Sequence, residues 1–389
     1  MSLDLLNQHH FLAQGSGVNS LALPGISNPK YIIDITNKDA FMAGLTMFGS
    51  RTVKAKMTRV ILSLLYTLGL LQYVFKKKLI NLRPHPEFIS LLKDNFQEIA
   101  GINIYNGFAK NKNLSFTFQV VTFTEFFYLR VPFSNTAKKL SASELDNIAY
   151  LEKMQVCQTA RPYAVFTYAH TFPIYAYYGI TKSSTRTRLC KQKKQLLEKL
   201  VLPGCDYIGE NSYFKKLNEE FLVFLNENKN LHEKMVEIYK KNINCLKDVK
   251  LKSAFFHGDF SPDNILLKNK NVFLIDFEYA NTHFFTCFDL FHYIFKAKGY
   301  HKKDIGLKEV KKIEKKIKQT YGVLPYSLEN NRDNFIILLH LFIFYLFFIL
   351  RRYLIDEEVP TNSIYVNKIQ ENIVNLAGKY LGFQGTQCH

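Results

Sequence analysis

The chain has 389 residues and carries 51 Lys plus Arg against 33 Asp plus Glu, a formal net charge of +18 with neutral histidines. Apolar residues at 47% and aromatics at 15% exclude a disordered or collagen-like chain, and at about 150 residues per domain the length predicts two or three structural units. With 34 Phe, 23 Tyr and no Trp, packing rests on Phe and a Trp-built aromatic cage is excluded. The charge favours anionic company: nucleic acid, nucleotide phosphate, acidic glycan or a negative membrane face. Six cysteines (Cys157, Cys190, Cys205, Cys245, Cys287, Cys388) lie far apart without a C-x-x-C pair, and MSLDLLNQHHFLAQGSG lacks the pattern of a secretory leader. Reduced thiols in the cytoplasm are the expectation.

In chain order, residues 1 to 95 read as an accessory segment, with turn signals at Pro24-Gly25 and Asn28-Pro29 and a break at Arg83-Pro84-His85-Pro86. Within it, Val60 to Phe75 is a 16-residue apolar run between Arg59 and Lys76, Lys77, Lys78. A spanning helix needs about 20 residues, so this run is expected in the core or lying on an anionic lipid surface. From Ile102, the segments INIYNGF, LSFTFQVVTF and EFFYLRVPF predict an antiparallel sheet. The stretch LSASELDNIAYLEKMQ predicts a helix capped by Ser141, with Glu144 three residues on and Leu140, Ile148 and Leu151 on one face. Further strands over 163 to 180 precede basic helical segments, and His301 to Thr320, with eight lysines and three acids, reads as a solvated helix face. A second 16-residue apolar run, Phe335 to Leu350, closes on Arg351 and Arg352 and is expected as a buried core helix.

Chemistry concentrates in Ala254 to Ala280, AFFHGDFSPDNILLKNKNVFLIDFEYA. The pattern predicts a strand end, a polar loop and a short hairpin, which sets Asp259, Asn264, Asp276 and Glu278 at strand ends facing one point. Asn264 lies five positions after Asp259, so one loop presents a carboxylate to a hydroxyl and an amide oxygen to a metal, and the hairpin returns Asp276 as a second ligand. Phosphoryl transfer needs this division, one group holding the metal that neutralises the polyphosphate and another aligning the attacking oxygen. Oxygen ligands suit Mg²⁺, while Cys287 is alone and His257, His283 and His292 lack the spacing of a compact zinc site.

HGDFSPDN followed by IDFE resembles the catalytic loop and metal segment of the aminoglycoside phosphotransferase and choline kinase superfamily, relatives of protein kinases. The resemblance covers roughly residues 100 to 355 and is specific over 254 to 292. It implies an α+β, two-lobed protein-kinase-like fold: an antiparallel-sheet N-lobe over 96–180 and a mostly helical C-lobe over 181–389, preceded by the 1–95 segment. It further implies that Asp259 is the catalytic base, that Asn264 and Asp276 bind Mg²⁺, and that His257 braces the loop 257–264. Glu278, in the metal segment 276–278, is similar to an acidic position of several small-molecule kinases. For the nucleotide, the resemblance implies a strand cation paired with a helix Glu; here these are Arg130, a departure from the family's usual Lys, and Glu144, with Glu152 as rival. The phosphate-covering loop is expected at Asn106 to Asn113, through backbone amides near Gly107 and through Lys112. Asp289 reads as a helix N-cap or as the buried partner of the catalytic loop.

These residues predict an ATP- and Mg²⁺-dependent phosphotransferase acting on a hydroxyl of a small molecule or glycan. The basic charge favours a sugar of a lipid-linked surface polysaccharide over a cationic choline or aminoglycoside acceptor, with the enzyme in the cytoplasm, peripheral to the inner face of the membrane. A choline- or aminoglycoside-type kinase and a catalytically inactive kinase-like binding protein are the alternatives. Nucleic-acid binding lacks a supporting motif.

Overall fold

A computed structural model describes residues 2–15, 19–27, 29–47, 53–106, 114–180, 184–185, 188–228, 233–324, 326–327 and 334–381. The chain divides into two compact units, one of Met1–Leu145 with Thr159–Arg186, the other of Asp146–Gln158 with Thr187–His389.

The first unit is built on an eight-stranded sheet. Its main elements in chain order are β1 (Ser20–Leu23), β2 (Tyr31–Asp34), α1 (Lys38–Thr46), α2 (Val53–Thr67), β3 (Leu79–Ile80), α3 (Pro86–Asn95), β4 (Ile99–Tyr105), β5 (Ser115–Thr122), β6 (Phe126–Pro132), α4 (Asn135–Met154, which passes into the second unit at Asp146), β7 (Pro162–Tyr168) and β8 (Phe172–Tyr178). The order across the sheet is β7-β8-β6-β5-β4-β2-β1-β3, antiparallel throughout. Alternation explains how this sheet is covered: Phe116, Phe118 and Val120 of β5 and Phe127, Leu129 and Val131 of β6 turn one face into a core with Leu6, Phe11, Phe88 and Leu92. On β4, Asn103 accepts from the Asp34 backbone amide at 2.8 Å and donates to Ala40 O at 2.8 Å and Gln119 Oε1 at 2.9 Å, tying the sheet to α1. A Cβ at Gly101 would stand 2.4 Å from the Ala40 Cβ, so this close approach requires glycine.

Residues 1 to 95 thus supply strands, a covering helix and core side chains to the sheet of 96–180, and the boundary expected near 95 falls inside one compact unit. A second difference concerns α4. It starts at Asn135 rather than near Ser141, because the Ser134 hydroxyl accepts from the Ala137 amide at 3.0 Å and caps the helix there. Ser141 is buried in mid-helix.

The second unit is mostly helical. It contains α5 (Lys191–Lys199), β9 (Val201–Tyr207), α6 (Ser212–Glu227), α7 (Glu233–Leu246), β10 (Lys250–Phe256), β11 (Ile265–Lys268), β12 (Asn271–Leu274), β13 (Asn281–Phe285), α8 (Phe288–Lys298), α9 (Leu307–Tyr321), α10 (Asn334–Arg351) and α11 (Ile364–Tyr380). β10 pairs with β9 and β13, and β11 with β12 in a tight hairpin turned by Asn269 and Lys270, both in the left-handed region. α10 is the helix among the described residues that is long and apolar enough to cross a membrane, yet it is buried, with Phe344 and Phe348 against Phe288. An all-round apolar helix is stable at the centre of a unit for that reason. The lysine-rich segment forms α9, with Val310, Ile313 and Ile317 buried and the lysines turned outward, apart from a half-buried Lys316.

Candidate active site

The loop 257–264 leaves the end of β10, where Phe255 and Phe256 are packed in the core. Gly258 follows with φ +80°, and a Cβ there would meet the Tyr279 carbonyl oxygen at 2.2 Å, so only glycine fits this turn. Asp289, in the first turn of α8, accepts from the His257 amide at 2.9 Å and the Gly258 amide at 3.2 Å. It is the buried partner of the loop, one of the two roles read from the sequence. Burial pushes its carboxyl up to about 7, against the two amides that pull it down.

His257 is fully buried. Its Nε2 meets the Ile275 carbonyl at 3.1 Å and its Nδ1 accepts from the Asp259 amide at 3.3 Å, while burial lowers its pKa. Both contacts fit a neutral ring carrying its proton on Nε2, and the ring fastens the loop to the strand that precedes Asp276.

Asp259 is held at both oxygens. Oδ1 accepts from His292 Nε2 at 2.6 Å, and Oδ2 accepts from Asn264 Nδ2 at 3.1 Å with Arg352 Nη2 at 3.6 Å. Burial alone would raise its pKa, but Arg352 and then His292 outweigh it and hold the carboxyl well below the usual range. His292 is itself pulled down to about 4 by burial, and its Nδ1 meets the Tyr345 hydroxyl at 3.1 Å. A neutral imidazole therefore donates to Asp259 while accepting from Tyr345. Arg352, just beyond α10, donates to Gly258 O at 3.0 Å and Glu357 Oε1 at 3.0 Å and lies over the Tyr279 ring at 3.7 Å.

Asn264 also donates to the Asp259 carbonyl at 3.0 Å, and its own carbonyl accepts from the Ile275 amide at 3.1 Å, one residue ahead of Asp276. The hairpin thus returns Asp276 beside Asn264. Asp276 has φ +70°, a conformation that costs of order 1 kcal/mol or more in a non-glycine residue and is over-determined by its surroundings. Phe277 is buried, its carbonyl accepting from Asn147 at 3.2 Å, and Glu278 follows it half-buried. Among the described residues no group of three His, Cys, Asp or Glu side chains is placed to hold a metal. The donors at this loop are an amide and carboxylates, a hard-oxygen set of the kind that would hold Mg²⁺.

In the first unit, Arg130 lies on β6 opposite Thr117 of β5 and Tyr175 of β8. Its Nη1 donates to Glu144 Oε2 at 2.8 Å, an oxygen that also accepts from the Tyr177 hydroxyl at 3.2 Å. Of the two acids weighed from the sequence, the structure pairs Glu144 with Arg130. Gly107 and Lys112 lie outside the described residues; Asn106, just before them, is fixed by its amide on Lys30 O at 2.9 Å and its side chain on Pro29 O at 3.1 Å. Sequence reasoning missed His292, Tyr345, Tyr279 and Arg352. For His292 a signal existed: it lies three residues after Asp289 on one helix face, so the turn that meets the loop carries both.

No family model matches the sequence, and no curated protein matches it. Solved structures do. An aminoglycoside phosphotransferase, APH(4)-Ia, in ternary complex with ADP and hygromycin B is 9% identical over 76% of this chain and 99% of its own, at a TM-score of 0.51. The choline kinase LicA from Streptococcus pneumoniae is 15% identical over 75% and 98%, at 0.47. A spectinomycin phosphotransferase, APH(9)-Ia, with ADP and spectinomycin is 16% identical over 75% and 96%, at 0.43. The sheet unit and the helical unit with its loop and hairpin define a protein-kinase-like fold. It is the fold of the aminoglycoside phosphotransferase APH(4)-Ia.

Proposed function

We propose that the protein is an ATP- and Mg²⁺-dependent phosphotransferase that moves the γ-phosphoryl group to a hydroxyl of a small molecule or glycan. The observation that carries this reading is Asp259, a carboxylate kept ionised by Arg352 and His292 on a loop whose Asn264 stands one strand position from Asp276. Asp259 accepts the acceptor O–H and fixes the line of attack. Its lowered pKa makes it a weak base, which suits a loose transition state in which the proton leaves late. Asn264 Oδ1 and Asp276 would hold Mg²⁺, with Glu278 as a further carboxylate, and the metal would neutralise charge on the polyphosphate. Arg130, oriented by Glu144, would grip phosphate oxygens with its planar fork, together with the 106–113 loop.

For the acceptor, an acidic or phosphorylated sugar of a lipid-linked glycan is the reading favoured by the +18 charge over a cationic amino alcohol or aminoglycoside. ATP as the phosphoryl donor fits the cytoplasm, at the inner face of a membrane. Transfer of label from γ-labelled ATP across acceptor classes tests the whole reading. Mg²⁺-dependent label on sugar hydroxyls is the expected result. Label on choline or aminoglycosides alone would reverse the acceptor preference, and a folded protein that neither transfers label nor gains thermal stability with Mg²⁺ and ATP would be the non-catalytic relative.

A further inference from the structure

The two apolar runs of equal length have opposite fates. α10 is buried, whereas α2 buries Leu62 alone among its residues. Leu62, with the partly buried Leu65 and Tyr66, packs on Phe41 and Leu45 of α1. The other face carries Val53, Met57, Val60, Ile61 and Leu64, repeating at i, i+4, i+7, i+8 and i+11, and Leu68 continues the series; all six are exposed, Val60 at 67% and Leu64 at 57%. This spacing is one continuous helical stripe. Tyr73 and Val74, in the short turn that follows, are exposed as well.

The charges around the stripe select its partner. Lys54 and Lys56, both exposed, flank it on its two sides at helical spacing, and exposed Lys76 and Lys77 follow it. From Ala40 to Pro86 the sequence contains no Asp or Glu and eight Lys or Arg. The acids that reach α2 in space, Asp34 and Asp39, act on Tyr66, on the face that packs against α1, so the exposed stripe is bordered by lysines, as a surface of negative headgroups favours.

We infer that α2 is a docking helix for an anionic lipid bilayer, lying in the plane of the interface with the Val53–Leu68 stripe in the acyl boundary and the lysines among the headgroups. The inference stands on α2 alone and is independent of the phosphotransfer reading.

The test uses the full chain with vesicles of phosphatidylcholine alone and with added phosphatidylglycerol. Because the chain has no Trp, Leu64→Trp gives a single clean reporter at an exposed apolar site. Expected are co-flotation with the anionic vesicles and a blue shift of the reporter, both weakened by salt. Val60→Asp with Leu64→Asp, at exposed positions that leave the melting temperature unchanged, lowers partitioning by about thirtyfold. Lys76→Gln and Lys77→Gln lower it by about fivefold each. No binding to phosphatidylglycerol vesicles, or binding that ignores the Asp pair, overturns the inference. Self-association that the Asp pair abolishes, without vesicle binding, overturns it in favour of a second copy of the chain. Phosphotransfer by the Asp pair on a soluble acceptor is read in parallel, so loss of docking and loss of catalysis are told apart.

Discussion

The loop 257–264 and the Arg130 pair are fixed by different means. Around Asp259, partners come from separate stretches of the second unit: Asp289 and His292 from α8, Arg352 from beyond α10, Asn264 from the hairpin. Arg130 sits in mid-strand, where the ladder to β5 and β8 sets its backbone whatever its side chain does, and Glu144 orients the guanidinium. Substitutions in the loop are therefore expected to damage fold and chemistry together, while substitutions at Arg130 damage chiefly ligand grip, at the smaller cost of leaving Glu144 without its counter-charge.

Asp259→Asn is the strongest challenge to this contrast. Loss of the aligning carboxylate should lower kcat by about 10³-fold, within the usual range for a general base, measured as ADP release at saturating substrates. The variant should also melt lower, since Arg352 then keeps a buried charge with a neutral neighbour. A variant within tenfold of the parent would remove the loop from the chemistry.

Arg352→Met comes next. Removing one member of a buried charge cluster typically costs about 3–5 kcal/mol, read in denaturant melts, and kcat should fall with it because Asp259 loses a constraint. Arg352→Lys should recover little. A single ammonium cannot span the Gly258 carbonyl, Glu357 and Asp259 together, nor stack on Tyr279 as a planar group does.

pH separates the two α8 residues. His292 is lowered from 6.5 to about 4, so between those values the unfolded chain binds a proton that the folded one refuses, and stability falls as pH drops from 6.5 to 4. Asp289 is raised from 3.8 to about 7, so over that window the folded chain binds the extra proton, and stability is lost as pH rises toward 7. The two slopes oppose each other. His292→Gln should leave a protein that gains stability on acidification from pH 7 to 4, by up to about 4 kcal/mol, and Asp289→Asn one that loses it, by up to about 3 kcal/mol. Thermal melts at a series of pH values give both slopes; identical slopes in the two variants would contradict the opposed assignments.

The sequence made the short-range part of this site legible. Asp259, Asn264 and Asp276 occur within 18 residues, and a strand, a loop and a hairpin are enough to bring them together. Arg352 reads in sequence as the polar end of an apolar run, because its partners are chosen by how α10 crosses the unit, which no local pattern records. Ser141 illustrates a nearer miss: it satisfied a capping spacing, but Ser134 met the same requirement one strand end earlier and started the helix first. The 1–95 segment was set apart by its Pro-rich break, yet that break is only the entry to α3, where His85 caps and Pro86 begins the helix. Two-residue pairings such as β1 with β3 are too short to show in hydrophobic alternation.

The smallest effect is expected at Arg130, and it is the one that most sharpens the contrast. Its side chain is 20% exposed and paired to a carboxylate at a helix, while β6 keeps its ladder bonds through the backbone. Arg130→Ala should raise KM for ATP by about tenfold, the loss of one charge-assisted contact of roughly 1.5 kcal/mol, with kcat less changed, and should lower the melting temperature by a few degrees, because Glu144 is 6% exposed and loses its counter-charge. Arg130→Lys tests whether the fork or only the charge is used: a Lys that restores KM in full would show that a point charge suffices, whereas partial recovery is the result expected of a guanidinium shared between Glu144 and phosphate oxygens. Glu144→Gln should fall between the two, because the amide still accepts from Arg130 but no longer draws it by charge. If Arg130→Ala instead unfolds the sheet, the pair is structural, and the grip on the nucleotide must then come from the 106–113 loop.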